Sequence, residues 1–286
     1  MTALVLVATL SAYAAEPDVI LGVLEEIPGH YAGEPLSRVV RVAFQKDGRE
    51  WKAFPASCPD QECLRTIASK FPAKMTWNIS FSGRGLGPVA GTSVKEFEFY
   101  SDIGIEKLEG PAPSIGKRSA EFGGFLGSPV LRPLIANSQP LYKDPDLWRP
   151  SQVSVQADSS LRLAFRKKFP DMSSCKTGKP WKYRDADIGI RKTYSSSNGW
   201  RVAQLQLPMS DCEGPPDDAF LDQWFAVSPQ HEVMFLGSGM WLVDAGDYDG
   251  DGASELVFAI DRYNEGGYKL FYDGFKGHAV FAFGYH

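Results

Sequence analysis

Met240-Trp241-Leu242-Val243, Asp247-Tyr248-Asp249-Gly250-Asp251-Gly252-Ala253-Ser254-Glu255 and Leu256-Val257-Phe258-Ala259-Ile260 are two short apolar runs joined through an acidic, glycine-containing loop. Short apolar runs bounded by turn residues read as strands. The second run is apolar on both faces, as a central strand requires. The loop places carboxylates at relative positions 1, 3, 5 and 9. Asp247, Asp249 and Asp251 then fold inward around one point. Gly250 and Gly252 let the backbone curl with positive φ. Ala253, at position 7, offers its carbonyl, and Glu255 closes the cage where the next strand starts. Calcium takes about six to eight hard oxygens in irregular geometry, whereas magnesium demands a stricter octahedron. An EF-hand needs Glu at position 12, where Phe258 stands, so the loop is of another kind. Carboxylates this close repel one another, so an empty loop is expected to fray.

The surrounding sequence extends the β reading. Ser159 to Phe169 carries Leu161, Ala164, Phe165 and Lys168 at helical spacing, and Pro170 stops it. From Asp187 onward the chain reads as paired β runs. Ile188–Tyr194 pairs with Trp200–Leu207, and Trp224–Val227 with Glu232–Leu236. Met240–Val243 follows, then Leu256–Tyr263 with Tyr268–Tyr272, and last Ala279–Tyr285. Ser197-Asn198-Gly199, Ser228-Pro229 and Asn264-Glu265-Gly266-Gly267 supply the turns. Short strands at this spacing predict a sandwich, a barrel or a propeller-like meander.

Asp247-x-Asp249-Gly250-Asp251-Gly252-x-x-Glu255-Leu256-Val257 resembles the calcium loop of FG-GAP or VCBS-type repeats, which build the integrin-alpha-like propeller. The resemblance spans about Trp241 to Ile260, with Glu at position 9 where those repeats usually carry Asp. It implies Asp247, Asp249, Asp251, the Ala253 carbonyl and Glu255 as calcium ligands. The loop occurs once, so a blade-like sheet is expected rather than a ring of blades.

The N-terminal half reads as a second β-rich region, residues 15–108. Val19–Leu24, Arg38–Phe44, Trp77–Phe81 and Glu96–Tyr100 are its strand candidates, with an Asp47-Gly48 hairpin signal and a short helix over Gln61–Phe71. Residues 109–150 hold Pro111, Pro113, Pro129, Pro133, Pro140, Pro145 and Pro150. That density predicts a linker or a segment that wraps the surface. Residues 151–286 form the C-terminal β region, with its one helix and the calcium loop. Asp102-Ile103-Gly104-Ile105-Glu106-Lys107 echoes Asp187-Ile188-Gly189-Ile190-Arg191-Lys192, but no fixed period follows and the echo reads as chance.

Residues 1–14 read as a secretory signal, with an apolar Leu4–Leu10 run and Ala12-Tyr13-Ala14 as the cleavage site. The run is too short to span a bilayer, so no stable membrane insertion is expected. An exported chain with four cysteines favours disulfides. Cys58–Cys63 and Cys175–Cys212 are the expected pairs. A zinc site of all four thiolates is the rival, and its spacing lacks any C-x2-C pair.

Of 286 residues, 43% are hydrophobic and 13% aromatic, enough for a large core. The net charge of −5 comes with scattered Lys and Arg, which excludes a nucleic-acid stripe and a polybasic membrane patch. Catalytic patterns are poor. His30, His231, His278 and His286 form no H-E-x-x-H, and Ser238 lacks a nucleophile elbow. Gly83-x-Gly85-x-Gly87 lacks a dinucleotide context. Asp217-Asp218 and Asp185/Asp187 are the acid pairs open to glycoside chemistry. The dense aromatics of the last third suit a β core, or a stacking platform for sugars. The expectation is an exported, secreted or periplasmic calcium-binding protein that binds or scaffolds a protein or glycan. The alternative is a secreted hydrolase, acting on glycans, with a structural calcium. Loss of calcium is expected to loosen the strands at 240–260 and leave the Val19–Tyr100 region alone.

Overall fold

A computed structural model of the chain describes residues 19–28, 35–122, 129–152, 155–170, 172–173, 177–208 and 221–285. The expected leader, Cys175, Cys212, His30, His286 and Asp217-Asp218 lie outside the described residues. The fold is mainly β, with 46% strand and 13% helix.

Seven strands come from the first half: β1 (Ile20–Ile27), β2 (Ser37–Asp47), β3 (Glu50–Ala53), β4 (Thr76–Phe81), β5 (Arg84–Gly91), β6 (Ile105–Glu109) and β7 (Leu134–Asn137). Their order is β1-β7-β4-β5-β6-β2, and β1 pairs back to β2. That closure makes a six-stranded antiparallel barrel, with β3 added on the outside of β2. Closing the ring removes unpaired edges. Leu21, Leu24, Phe44, Trp77 and Leu134 are buried in it. Helix α1 (Gln61–Ile67) sends Leu64 and Ile67 into the same core. Asp60 caps it by accepting from Cys63 N–H at 2.9 Å, and the Cys58–Cys63 disulfide ties its first turn to the preceding chain.

Two sequence expectations fail here for identifiable reasons. The proline-rich segment, expected as a linker or a segment wrapping the surface, supplies β7 between β1 and β4. Its prolines flank Leu134–Asn137 rather than interrupt it, and all four residues are buried. Glu96–Tyr100 alternates like a strand but joins no ladder. Only Phe97 of that run is buried, so one side-chain anchor sufficed for the alternation.

The second half forms two successive meanders. The first comprises β8 (Arg149–Pro150), β11 (Gly189–Ser195), β12 (Arg201–Gln206), β13 (Gln223–Val227) and β14 (Val233–Ser238). The small pair β9 (Met172–Ser173) and β10 (Pro180–Trp181) and helix α2 (Val155–Lys168) precede β11. The second meander is β15 (Met240–Gly246), β16 (Glu255–Arg262), β17 (Glu265–Tyr272) and β18 (Gly277–Gly284), paired in chain order. Every pairing is antiparallel. A single residue, Gly239, turns the chain from one sheet into the next.

The layers follow from which faces are apolar. Leu161 and Phe165 of α2 cover Leu205 and Phe225. The opposite face of that sheet meets the second sheet through Val202, Trp224, Leu256, Phe258 and Ile260. The far face of the second sheet, with Val243, Val257, Leu270 and Phe281, packs on barrel residues in one shared core. Strands β13 and β16 are therefore covered on both faces, which is why their sequences read as unbroken apolar runs.

Candidate metal centre

The acidic loop connects β15 to β16 and lies where the second sheet meets the barrel. Register fixes its entry and exit: Gly246 pairs with Glu255, so the intervening residues must bulge out together. Gly250 and Gly252 have φ of +80° and +89°, which turns the loop's N–H groups inward. Gly250 N–H and Gly252 N–H donate to the two Asp247 oxygens at 2.7 and 3.1 Å. Asp251 N–H donates to Asp249 Oδ1 at 3.2 Å. Ala253 N–H donates to Asp251 Oδ1 at 2.8 Å, and Tyr248 N–H to Glu255 Oε2 at 2.8 Å.

Among the described residues, carboxylate oxygens of Asp247, Asp249 and Glu255 converge within 4.8 Å of one another. Asp251 stands outside that trio. Ala253 enters the loop's bonding through its N–H. Glu255 is 1% exposed, and burial drives its pKa well above the usual carboxylate range. The charges of Asp249, Asp251 and Asp247 push it the same way. Asp247 is raised too, first by burial and then by Asp249 and Asp251, while its N–H donors oppose. The trio thus offers hard oxygen donors that need positive charge. Three converging carboxylates of this kind are the donor type that hard cations take.

Contacts missed by the sequence reading hold the loop in place. Asn137 of β7 donates from Nδ2 to Tyr248 O at 2.8 Å, and Asp247 N–H to Lys143 O at 2.6 Å. Ser254 N–H donates to Asp146 Oδ2 at 3.0 Å, and Ser254 Oγ to Asp144 Oδ1 at 2.7 Å. Lys46 of β2 forms an ion pair with Asp249. Asp144-Pro145-Asp146 is a short acidic stretch around a proline, a weak signal in the sequence. Lys46 left none, because 203 residues separate it from Asp249. Asp244 of β15, three residues before the loop, accepts Ser82 N–H with both oxygens at 3.1 and 3.0 Å. Burial pushes its pKa up to about 7, with Ser82 and the Arg132 charge opposing.

The other sequence candidates are engaged locally. Asp185 pairs with Arg166 and Asp187 with Arg184, each on the surface. A small cavity beside α2 is lined by Ala157, Leu161, Val202 and Val227 among others, and no carboxylate lines it. No helix among the described residues is long and apolar enough to cross a membrane. Comparison with protein-family models, curated proteins and solved structures finds no match for this chain.

Proposed function

We propose that the chain is an exported calcium-binding protein. In this reading the metal clamps the barrel to the C-terminal sheets, and the assembled body binds or scaffolds a protein or glycan. The observation that carries the reading is the convergence of Asp247, Asp249 and Glu255 at that junction. The loop touches β7 through Asn137, β2 through Lys46 and the 143–146 segment through Lys143, Asp144 and Asp146. A cation there would neutralise charge at the point where separate parts of the fold meet. Each trio carboxylate already accepts a backbone N–H or an ammonium, so the group suits holding shape better than moving protons. Export is supported by the Leu4–Leu10 and Ala12-Tyr13-Ala14 pattern and by the Cys58–Cys63 bridge. Exposed Tyr263 and Tyr285 beside the second sheet offer aromatic surface for a partner.

Calcium sites of extracellular modules work at about 0.1–1 mM. Full-length protein stripped with chelator should melt several degrees higher when calcium exceeds Kd about tenfold, a stabilisation of ~1.4 kcal/mol. Asp247→Asn should remove that rise, and should lower the metal-free melting point modestly because one of the two backbone N–H groups on Asp247 loses its acceptor. A stripped protein whose melting curve ignores millimolar calcium would overturn the reading.

A further inference from the structure

Lys46 reaches the acidic loop from across the interface, near the end of β2. Its ammonium donates to Asp249 Oδ2. The two side chains are only 16% and 3% exposed. The same nitrogen lies 5.3 Å from the Trp51 ring centroid and 5.9 Å from that of Tyr272. Water is thus largely excluded on both sides of the pair. Such a pair is screened far less than a surface one, and loss of either member strands the other. Asp249 Oδ1 meanwhile accepts Asp251 N–H. Both Asp249 oxygens are therefore engaged, one of them by a cation. A divalent ion using Asp249 must meet that ammonium at close range, where like charges repel strongly.

We propose that Lys46 is the loop's tethered counter-cation: it pins the metal-free loop to the barrel and yields Asp249 when a divalent cation binds. The proposal rests on reading the loop as a calcium site. It adds a built-in competitor that sets the calcium threshold. The Trp51 and Tyr272 faces give the displaced ammonium a nearby resting place, since aromatic faces attract cations. The junction between barrel and sheet then carries a cation in either state, first the lysine and then the metal.

Calcium titration of chelator-stripped full-length protein by calorimetry tests this. Lys46→Met keeps the stem and removes the charge. It should bind calcium about tenfold more tightly than wild type, and it should melt lower than wild type without metal. Lys46→Arg, which keeps the charge, should stay near wild type in both respects. Equal calcium affinity in wild type and Lys46→Met would overturn the counter-cation. Absence of binding in both would instead overturn the calcium site itself. A Lys46→Met protein that fails to fold leaves a wild-type readout. Acylation of Lys46 by an amine-reactive reagent, followed by peptide mass spectrometry, should rise several-fold with calcium. Unchanged Lys46 labelling on saturation with calcium would sink the proposal.

Discussion

At the scale of single residues, a carboxylate taken out of water holds its proton more tightly. Glu106 shows the consequence away from the loop. It is fully buried, with Trp77 Nε1–H donating to Oε2 at 2.7 Å and Met75 N–H to Oε1 at 3.2 Å. Burial raises its pKa from 4.5 to about 7, and the two donors only partly oppose. A folded pKa above the unfolded one means that the native state holds the proton more tightly. The contribution of Glu106 to stability is then fully present below about pH 4.5, falls as pH rises toward about 7 and levels off above. The displacement is worth ~3 kcal/mol. Glu106→Gln cannot ionise, so urea unfolding should find it level with wild type or slightly weaker near pH 4. At pH 8 it should be relatively more stable by ~2 kcal/mol. A variant-minus-wild-type difference that stays constant with pH would contradict this. Sequence alone gave no hint of Glu106, because an acid inside an Ile-Glu-Lys-Leu strand looks like an exposed alternating position.

At the scale of elements, the corner between the two sheets is the most demanding piece of backbone. Gly239 has φ of +57°, and a Cβ there would lie 3.0 Å from Asp261 O and 2.7 Å from Arg262 Cγ. Gly48, in the β2–β3 turn, has a similar φ of +60° with nothing within 4 Å of such a Cβ. Both Gly→Ala changes carry the left-handed penalty of ~1 kcal/mol, and only Gly239→Ala adds the clash. Gly239→Ala should therefore cost ~2 kcal/mol or more in chemical denaturation, against ~1 for Gly48→Ala. Equal losses would show that the corner has room to relax. The hairpins of β11–β12, β13–β14 and β16–β17 were legible because turn residues separate runs of β-branched and aromatic residues. The barrel was not legible. Its closure depends on β1 pairing with both β2 and β7, which lies 110 or more residues away in the chain. The repeated Asp-Ile-Gly-Ile motif has a local meaning. Asp102 and Asp187 each end a short 3-10 turn and accept the backbone N–H of the residue before it, Phe99 and Arg184. Each turn leads into a strand, β6 or β11, so the echo encodes a shared way of entering a strand.

At the scale of the whole molecule, the barrel and the second sheet share one core. Val243, Val257, Leu270 and Phe281 pack with Leu21, Phe44 and Trp77 in a single cluster. The acid spacing of the loop was readable in the sequence, and three of its four carboxylates, those of Asp247, Asp249 and Glu255, converge. What surrounds the loop was unreadable, because Lys46, Asn137, Asp144 and Asp146 arrive through tertiary packing alone. These contacts change what metal removal should do. The sequence suggested effects confined to residues 240–260. With Lys46 and Asn137 bonded to the loop, the ends of β2 and β7 fall within its reach. Hydrogen exchange of the full-length chain, stripped and calcium-loaded, tests the clamp most directly, because openings follow local contacts. Calcium should slow exchange in β15 and β16, and more modestly in β7, with β4, β5 and α2 unchanged. Identical exchange at residues 240–260 in the two states would contradict a calcium clamp at this junction.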